Sequence, residues 1–408
     1  MPDIRAARLI SDLRRLSEFG RYKTGVHRLT YSAEDMVARH WLVERMEEAG
    51  LEATIDGIGT VIGSSQARGP RLLIGSHLET QPYAGWLDGA MGVMYGLEIA
   101  RTFAENPATA NVAIDVGAWA DEEGHYGSLL GSRSFCGELT EEMIDAAKGQ
   151  GTTLHAALAE AGLAGRRRER LDPDRYVGYL EAHVEQGDYL DSSGLRLGIV
   201  TGIVGFNQFR ITFVGQQNHA GTTRMAIRKD AGVTLVRLCN EIEQRFPGVA
   251  GPRSVWTTGR ILLYPGAPAV IPGRAEMLFQ FRDIEQERMT LMERTLEEIV
   301  ADANAIGPCH AELEVLAREP PHLMDPNFQD ILERAAQQHA PGEHMRMPSA
   351  AVHDAQIFAR HLPAGMLFVP SIAGISHHYA EDTKEEDIVL GCRVFADAAE
   401  CILRAQRS

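Results

Sequence analysis

Short hydrophobic runs alternate with helix-like stretches along much of the chain, which is the pattern of an α/β fold. Runs that predict buried strands occupy residues 71–76, 112–120, 176–182 and 366–371. Apolar residues with helical spacing lie between the first two of these runs, over residues 92–104. Strands that alternate with helices predict a mainly parallel sheet covered by those helices.

The pattern changes between residues 206 and 325. Alternating strands and two helical stretches follow one another there in the order β-α-β-β-α-β, which is typical of a ferredoxin-like unit. The α/β pattern then resumes, so we predict a discontinuous catalytic domain formed by residues 1–205 and 326–408, with residues 206–325 inserted as a separate domain. The predicted fold class is α/β, with a mixed, mainly parallel sheet and an inserted α+β domain.

The composition excludes several classes of partner. A chain of 408 residues is too long to form a single hydrophobic core of ordinary size, which agrees with two domains. Lys and Arg number 40 against 56 Asp and Glu, and the net charge of −16 disfavours binding to nucleic acid or to an anionic membrane surface. We find no apolar run that predicts a membrane span and no signal peptide at the opening Met-Pro-Asp-Ile-Arg. The five scattered cysteines fit free thiols in a reducing cytoplasm.

Each of the four predicted strands runs into a residue type that binds metal ions, and a further acid lies in a Leu-Asp-Gly turn. In chain order these residues are His77, Asp88, Glu122, Glu123, His183 and His377. In open α/β sheets, ligands bind beyond the carboxyl ends of the strands. One such residue at a strand end is common, but the whole set at successive strand ends predicts a hydrolytic site with two metal ions.

Two divalent ions about 3.5–4 Å apart need a bridging ligand, terminal ligands and an exchangeable water. Asp88, on a tight turn, suits the bridge, and histidine and carboxylate ligands suit zinc, manganese, nickel or cobalt. If their segment is extended, Glu122 and Glu123 face opposite sides, because successive side chains of a strand alternate. One of them would then bind metal, while the other takes a proton from water whose pKa the metal lowers to about 7.

Simpler roles stay open for single residues. A lone histidine at a strand end is more often a hydrogen-bonded core residue than a ligand. His378 could bind metal in place of His377, since local spacing does not separate the two. Tyr83 and Trp86, which flank Asp88, could pack at the rim or face a substrate.

Several motifs in order along nearly the whole chain resemble the hydantoinase/carbamoylase branch of the M20 metallopeptidase family. They include Gly75-Ser76-His77-Leu78-Glu79-Thr80, Leu87-Asp88-Gly89, Asp121-Glu122-Glu123-Gly124, Glu181-Ala182-His183-Val184-Glu185-Gln186-Gly187, Asn218-His219-Ala220-Gly221-Thr222-Thr223, His353-Asp354-Ala355-Gln356 and Gly374-Ile375-Ser376-His377. The branch contains N-carbamoyl-L-amino-acid hydrolases, β-ureidopropionases and allantoate amidohydrolases. The resemblance implies a dimer with an aminopeptidase-like two-metal catalytic domain and an inserted lid that also forms the dimer contact.

The resemblance also implies a role for each candidate residue of the metal site. It makes Glu122 the general base. It implies two divalent metal ions per chain (zinc, manganese, cobalt or nickel). Their ligands would be His77, Asp88, Glu123, His183 and His377.

Four further residues would handle the substrate. The resemblance implies that His219 polarises the scissile carbonyl, in its own subunit's site or the neighbouring one, and that Arg282 clamps a substrate carboxylate with its planar fork. Gln186 and Gln356 would contact the substrate. His219 could instead serve only local hydrogen bonds, and Arg282 could form a salt bridge with a neighbouring acid, Asp283 or Glu276.

Three positions depart from the pattern of the branch. Ala269 stands where relatives have an asparagine that helps bind substrate, and Arg224 replaces a proline. The last motif usually has Asn or a similar residue and then Pro after its histidine, where this chain has His378-Tyr379. Losing one polar contact changes substrate discrimination by about 1–3 kcal/mol. The substrate's side chain and stereochemistry therefore stay open.

We expect a cytoplasmic, homodimeric, metal-dependent amidohydrolase that cleaves a linear C–N bond of an N-carbamoyl or N-acyl amino acid, a small substrate with a carboxylate. Within the enzymes, the alternatives are an aminoacylase or dipeptidase, or a deaminase that uses the same metals. A different class would be a non-catalytic protein that binds an acidic small molecule through Arg282.

Overall fold

The hydrophobic runs of the chain form the strands of two main sheets, each in its own unit. The computed structural model describes residues 3–405. The first unit contains the chain up to Gly202 and from Leu323 onward, and the second contains Ile203–His322. The predicted boundaries, 205/206 and 325/326, fall three residues later than these.

Numbered in chain order, the helices and strands of the described residues are α1 (Ala6–Ser17), β1 (Arg21–Tyr22), β2 (Gly25–Val26), α2 (Ala33–Glu48), β3 (Glu52–Ile55), β4 (Val61–Ser64), β5 (Arg71–His77), α3 (Ala90–Glu105), β6 (Ala113–Trp119), α4 (Leu130–Phe135), α5 (Glu141–Ala146), β7 (Lys148–Gly149), β8 (Thr152–Thr153), α6 (Leu154–Glu160), β9 (Gly178–Val184), α7 (Tyr189–Ser193), β10 (Leu197–Ile203), β11 (Gly205–Val214), β12 (Asn218–His219), α8 (Ala231–Arg245), β13 (Val255–Tyr264), β14 (Val270–Ile271), β15 (Arg274–Asp283), α9 (Gln286–Ile306), β16 (His310–Glu319), β17 (His322–Leu323), α10 (Pro326–His339), β18 (His344–Ser349), α11 (Ala355–Phe358), β19 (Ala364–Val369) and α12 (Glu385–Ala405).

The sheet of the first unit is mixed, with four parallel strands at its centre. Its order is β17-β10-β19-β9-β5-β6-β4-β3, and β18 pairs with β10. Strands β19, β9, β5 and β6 run parallel to one another, whereas β10, β4 and β3 pair antiparallel. The four central strands are buried along nearly their whole length, as parallel strands covered on both faces should be. This confirms the predicted fold class.

Helix α3 packs on the centre of this sheet, against β5, β6 and β9. It is buried on nearly all sides over its first two turns, Ala90–Leu97, which carry only apolar residues, tyrosine and glycine. Fully buried side chains such as Leu97 and Phe103 each stabilise the packing by about 1.5–3 kcal/mol. The start of α3, directly after Asp88 and Gly89, is therefore held firmly beside the ends of the central strands.

The second unit contains a four-stranded sheet of order β13-β15-β11-β16, in which each strand pairs antiparallel with its neighbours. Helices α8 and α9 pack against it around a core that includes Phe209, Leu235, Phe279 and Leu296. Along the chain the order is β-α-β-β-α-β, with the second strand at one edge of the sheet and the fourth at the other. This is the ferredoxin-like arrangement that the sequence predicts.

Helix α2 begins with a side-chain cap. Ser32 is its N-cap, and the Ser32 hydroxyl accepts the Asp35 N–H at 3.2 Å. Within residues 3–405, every helix falls short of the combined length and apolar character that crossing a lipid bilayer requires.

Candidate metal centre

Four neighbouring parallel strands bring the predicted ligands to one edge of the first unit's sheet. His77 is the last residue of β5, and His183 is the last but one of β9. Glu122 and Glu123 follow β6, and His377 follows β19. Because the carboxyl ends of adjacent parallel strands lie side by side, residues that are far apart in the sequence meet there.

The two oxygens of the Asp88 carboxylate face two different groups. Oδ1 lies 3.0 Å from Nε2 of His183 and 3.5 Å from Nε2 of His77. Oδ2 lies 3.6 Å from Nε2 of His377, which is 3.9 Å from Oε2 of Glu123. Within each three-residue group, the candidate ligand atoms lie within 4.8 Å of one another. A carboxylate that bridges two ions needs this arrangement.

The hydrogen bonds of two histidines show that the donor set fits a cation. Nδ1 of His77 lies 3.0 Å from the carbonyl oxygen of Glu79, and Nδ1 of His183 lies 2.8 Å from that of Val184. A carbonyl can only accept, so in each neutral ring Nδ1 carries the proton and Nε2 presents a lone pair. Among the described residues, Asp88 Oδ1 has no hydrogen-bond donor. Two acceptors 3.0 Å apart require a proton or a cation between them.

The acids of this site change one another's pKa. Burial raises the pKa of Glu122 well above its ordinary value, and although His77 lowers it, Glu123 and Asp88 raise it further. Burial and the Asp88 charge raise the pKa of Glu123 to about 8. Burial also raises the pKa of Asp88, but His183 and His77 lower it more, to well below the ordinary value. Protons and cations therefore compete for these carboxylates.

Glu122 and Glu123 do not alternate across the sheet, which corrects the expectation for an extended segment. Strand β6 ends at Trp119, and Asp121 adopts a φ of +57°, so the chain turns before the two acids. Oε2 of Glu122 lies 3.7 Å from Nε2 of His77. Both acids therefore face the candidate ligands, Glu122 beside the first group and Glu123 within the second.

Two glutamines hold the second group together. Gln81 donates to the Glu123 carboxylate from its N–H at 2.9 Å and from Nε2 at 2.8 Å. Nε2 of Gln186 donates to Asp88 Oδ2 at 3.2 Å and lies 3.3 Å from Nε2 of His377. Gln186, predicted to contact the substrate, thus lies among the candidate ligands, whereas the role of Gln81 was not predicted.

Of the two adjacent histidines, His377 faces the candidate ligands. Its φ is +51° and its side chain is 52% exposed, in contrast to the buried ligands around it. Nδ1 of His378 accepts the N–H of Ala380 at 3.2 Å, and its ring lies 4.1 Å from that of Tyr379. The backbone conformation of His377 therefore distinguishes it from His378 as a candidate ligand, a choice that sequence spacing leaves open.

Three other residues singled out in the sequence have distinct surroundings. Trp86 is buried, and its Nε1 donates to Asp382 at 3.1 Å, which is a packing role. Tyr83 is 49% exposed. Gln356 lies in α11 and is 3% exposed, so a direct contact with substrate requires its side chain to become accessible.

His219 belongs to the second unit and makes the local hydrogen bonds that were considered for it. Its Nδ1 accepts the N–H groups of Gly221 and Thr222 at 2.9 and 3.2 Å. Because Nδ1 accepts, the neutral ring carries its proton on Nε2. His219 is exposed, so this Nε2–H is a donor on the surface of its unit.

Arg282 also belongs to the second unit, near the end of β15. Burial lowers the pKa of its guanidinium, which lies 5.7 Å from the ring of Phe206. The two acids considered as its partners each contact other arginines. Glu276 pairs with Arg260 at 2.7 Å and Arg274 at 3.0 Å, and Asp283 lies 3.6 Å from Arg288.

A layer of buried charge behind the candidate ligands was not predicted. Its members, each 0% exposed, are Arg28, Asp35, Arg39, Glu79, Asp121, Glu181 and Asp354. Charged residues are almost never fully buried unless they are paired. The i,i+4 spacing of Asp35 and Arg39 on α2 could have indicated an ion pair, but the sequence carries no signal for its burial.

Comparison with known proteins identifies the family. The family model of "Peptidase family M20/M25/M40" matches residues 73–400. An N-carbamoyl-L-amino acid amidohydrolase of Geobacillus stearothermophilus is 34% identical over 405 residues, covering 96% of this chain and 97% of that protein. An allantoate amidohydrolase of Bacillus subtilis is 31% identical over 383 residues, covering 91% and 92%.

A solved structure agrees with these two relatives. An amidase of the hydantoinase/carbamoylase family from Burkholderia phymatum superposes with a TM-score of 0.94 at 49% identity, covering 99% of each chain. The family model spans most of the chain, and the relatives and the solved structure span nearly all of it. The chain therefore belongs to peptidase family M20/M25/M40, in its hydantoinase/carbamoylase branch.

Proposed function

We propose that the protein is a metal-dependent amidohydrolase that cleaves the ureido C–N bond of an N-carbamoyl amino acid or a close relative. The observation that carries this proposal is the Asp88 carboxylate, which turns one oxygen toward each of two groups of candidate ligands. Membership of the hydantoinase/carbamoylase branch supports the bond type, because the relatives are named for N-carbamoyl-L-amino acids and for allantoate, which both carry ureido groups.

Two divalent ions per chain would occupy this site, with zinc, manganese, cobalt and nickel as candidates. His77, Asp88 and His183 would hold the first ion, and Asp88, Glu123 and His377 would hold the second. When bound, the ions supply Lewis acidity to the substrate carbonyl and make water more acidic.

Glu122 is placed to move protons during hydrolysis. Its carboxylate lies beside the first group, 3.7 Å from His77, and is nearly buried. Its proposed role is to accept a proton from the attacking water and return it to the leaving nitrogen as the C–N bond breaks. Burial favours the first of these steps, because a carboxylate with a raised pKa is a stronger base than an exposed one.

The second unit would supply the groups that recognise the substrate. The Nε2–H of His219 suits the carbonyl oxygen of the scissile bond, where negative charge develops. The guanidinium of Arg282 suits the substrate carboxylate, because its planar fork can donate two parallel hydrogen bonds. In this proposal Gln186 contacts the substrate amide, and the second unit acts as lid and dimerisation domain of a cytoplasmic homodimer.

A substrate panel with quantified metal tests the function. N-carbamoyl, N-acetyl and dipeptide derivatives of the same L-amino acids would be incubated with protein loaded with zinc or manganese. We expect turnover of the N-carbamoyl compounds, and a loss of about 10²–10⁴-fold in kcat for Glu122→Gln at unchanged ion content. The exposed Glu52→Gln is the matched control. Preference for acetyl or dipeptide substrates would favour an aminoacylase or dipeptidase, and parental turnover by Glu122→Gln would remove Glu122 from the mechanism.

A further inference from the structure

A buried chain of charged side chains connects helix α2 to the turn that carries Glu122. Nη2 of Arg39, on α2, donates to Oε2 of Glu79 at 2.7 Å. The other oxygen of the same carboxylate, Oε1 of Glu79, accepts the backbone N–H of Glu122 at 2.6 Å. Arg39 and Glu79 are both 0% exposed, so water does not compete for these bonds.

Arg39 is also fixed on its other sides. Its Nε donates to Oδ2 of Asp35 at 2.9 Å, and its Nη1 donates to the carbonyl of Gly59 at 2.8 Å. Asp35 in turn accepts the N–H of Tyr31 at 2.9 Å. A planar guanidinium that donates in three directions cannot rotate without breaking bonds, so its position determines the position of the Glu79 carboxylate.

This network is balanced in charge, which allows it to be buried. Arg28, also fully buried, donates to the carbonyl of Leu78 at 2.9 and 2.7 Å and interacts electrostatically with Asp35 and Glu79. Arg39 thus bonds to both carboxylates, whereas Arg28 bonds to backbone carbonyls and adds a second positive charge near them. Buried ion pairs add little net stability, because desolvation offsets their attraction, but they fix the positions of the groups involved.

Glu79 has a second contact with the site, through its backbone. Its carbonyl oxygen lies 3.0 Å from Nδ1 of His77, the histidine that faces both Asp88 and Glu122. One residue therefore orients a candidate ligand with its backbone and anchors the Glu122 backbone with its side chain. The distance between the candidate ligand His77 and the proposed base Glu122 therefore depends on the position of Glu79.

We propose that Arg39, acting through Glu79, is a positioning residue for Glu122. It holds the Glu122 N–H in place and so sets the direction from which the Glu122 carboxylate meets the reacting water. The inference rests on the proposed role of Glu122 as the base. Arg39 contacts no reacting atom, and it contributes through geometry, where a displacement of about 1 Å can reduce a rate by about 10²-fold.

The test compares Arg39→Lys with a matched control, Arg71→Lys. Lysine at position 39 keeps the buried positive charge and removes the fork that reaches Asp35, Gly59 and Glu79 together. Arg71, the first residue of β5, lies at the end of the strand away from Glu122 and pairs with the fully buried Asp115, so Arg71→Lys makes the same change of guanidinium to ammonium at a distance from the site. Both variants would be measured as metal-loaded enzyme.

We expect Arg39→Lys to lower kcat by about 10–100-fold while KM and ion content stay within about twofold of the parent. Hydrogen exchange of the Glu122 amide should accelerate by about 10-fold or more, because its buried acceptor is no longer fixed. Arg71→Lys should leave both quantities unchanged. The amide exchange does not depend on turnover, so it decides the proposal for any substrate.

Two results would overturn the proposal. One is that the Glu122 amide of Arg39→Lys exchanges at the parent's rate while its kcat equals that of Arg71→Lys. The other is a fall in kcat matched by loss of bound ions, which would place the effect at the ligands. If Arg39→Lys does not fold, Glu79→Gln, which keeps an oxygen for the Glu122 N–H and loses the charge pair, is judged by the same measurements. A parent that hydrolyses no compound of the panel contradicts the proposed function instead, and the amide exchange still decides the positioning.

Discussion

Replacing Gly89 by alanine should disrupt the candidate metal centre by displacing His77. Gly89 precedes helix α3 with φ +65° and ψ −50°, a conformation that L-residues rarely adopt. A Cβ at this position would lie 2.5 Å from three atoms of the His77 ring. Favourable contacts between carbon atoms begin at about 3.5 Å, so the ring and the new methyl group cannot both stay in place.

The magnitude follows from two costs. The positive φ costs about 1–2 kcal/mol for alanine. Restoring a contact distance requires the ring to move by about 1 Å, which breaks the 3.0 Å contact between His77 Nδ1 and the Glu79 carbonyl, at about 1–2 kcal/mol. The free energy of unfolding should therefore fall by about 2–4 kcal/mol, and Nε2 of His77 should no longer face Asp88.

Gly50→Ala is the control, because Gly50 also has a positive φ, +80°, but a Cβ there meets nothing within 4 Å. Denaturant titration would give the free energy of unfolding, and plasma mass spectrometry the ions per chain. We expect Gly50→Ala to lose about 1 kcal/mol and keep its ions, and Gly89→Ala to lose more and bind at least one ion fewer. Equal stability and equal ion content in the two variants would refute the packing of His77 against Gly89.

Three further outcomes are expected. His377→Ala should lose one bound ion per chain while His378→Ala keeps both, and the reverse result would move the ligand to position 378. Burial raises the pKa of Asp56 to about 6, above its unfolded value near 3.8, so the folded protein takes up this proton first. Between pH 8 and 5 the parent should therefore gain about 1 kcal/mol of unfolding free energy relative to Asp56→Asn, and a pH-independent difference would contradict this. Arg282→Met should raise KM at least about tenfold for a substrate with a free carboxylate, but not for its carboxamide, and equal effects on both would exclude a carboxylate clamp.

The positions of the candidate ligands along the fold could be predicted from the sequence. Hydrophobic runs mark the central strands, and the carboxyl ends of parallel neighbours meet at one edge of a sheet, so His77 and His183 could be expected close together. Asp88 could be expected nearby because its turn leads into a helix that packs on the same strands.

The direction of the side chains could not be predicted in the same way. Glu122 and Glu123 face one pocket because Asp121 has a positive φ, and tertiary contacts hold it there, including a 2.9 Å bond from the Thr30 hydroxyl. The choice of His377 over its neighbour likewise depends on a positive φ. Such conformations are set by contacts between distant segments, which local periodicity does not report.

The burial of charged side chains is the other feature that could not be predicted from the sequence. Asp35 and Arg39, four residues apart on α2, have the spacing of an exposed surface pair. They are fully buried because Glu79, two residues beyond β5, supplies the second carboxylate. Only the fold brings these three charges together.

The most direct test of the account is the anomalous difference map of a crystal grown with manganese or zinc. We predict two peaks per chain, one among His77, Asp88 and His183 and the other among Asp88, Glu123 and His377, with the Asp88 carboxylate between them. Peaks at other residues, or fewer than two peaks at saturating metal, would contradict the proposed two-metal site.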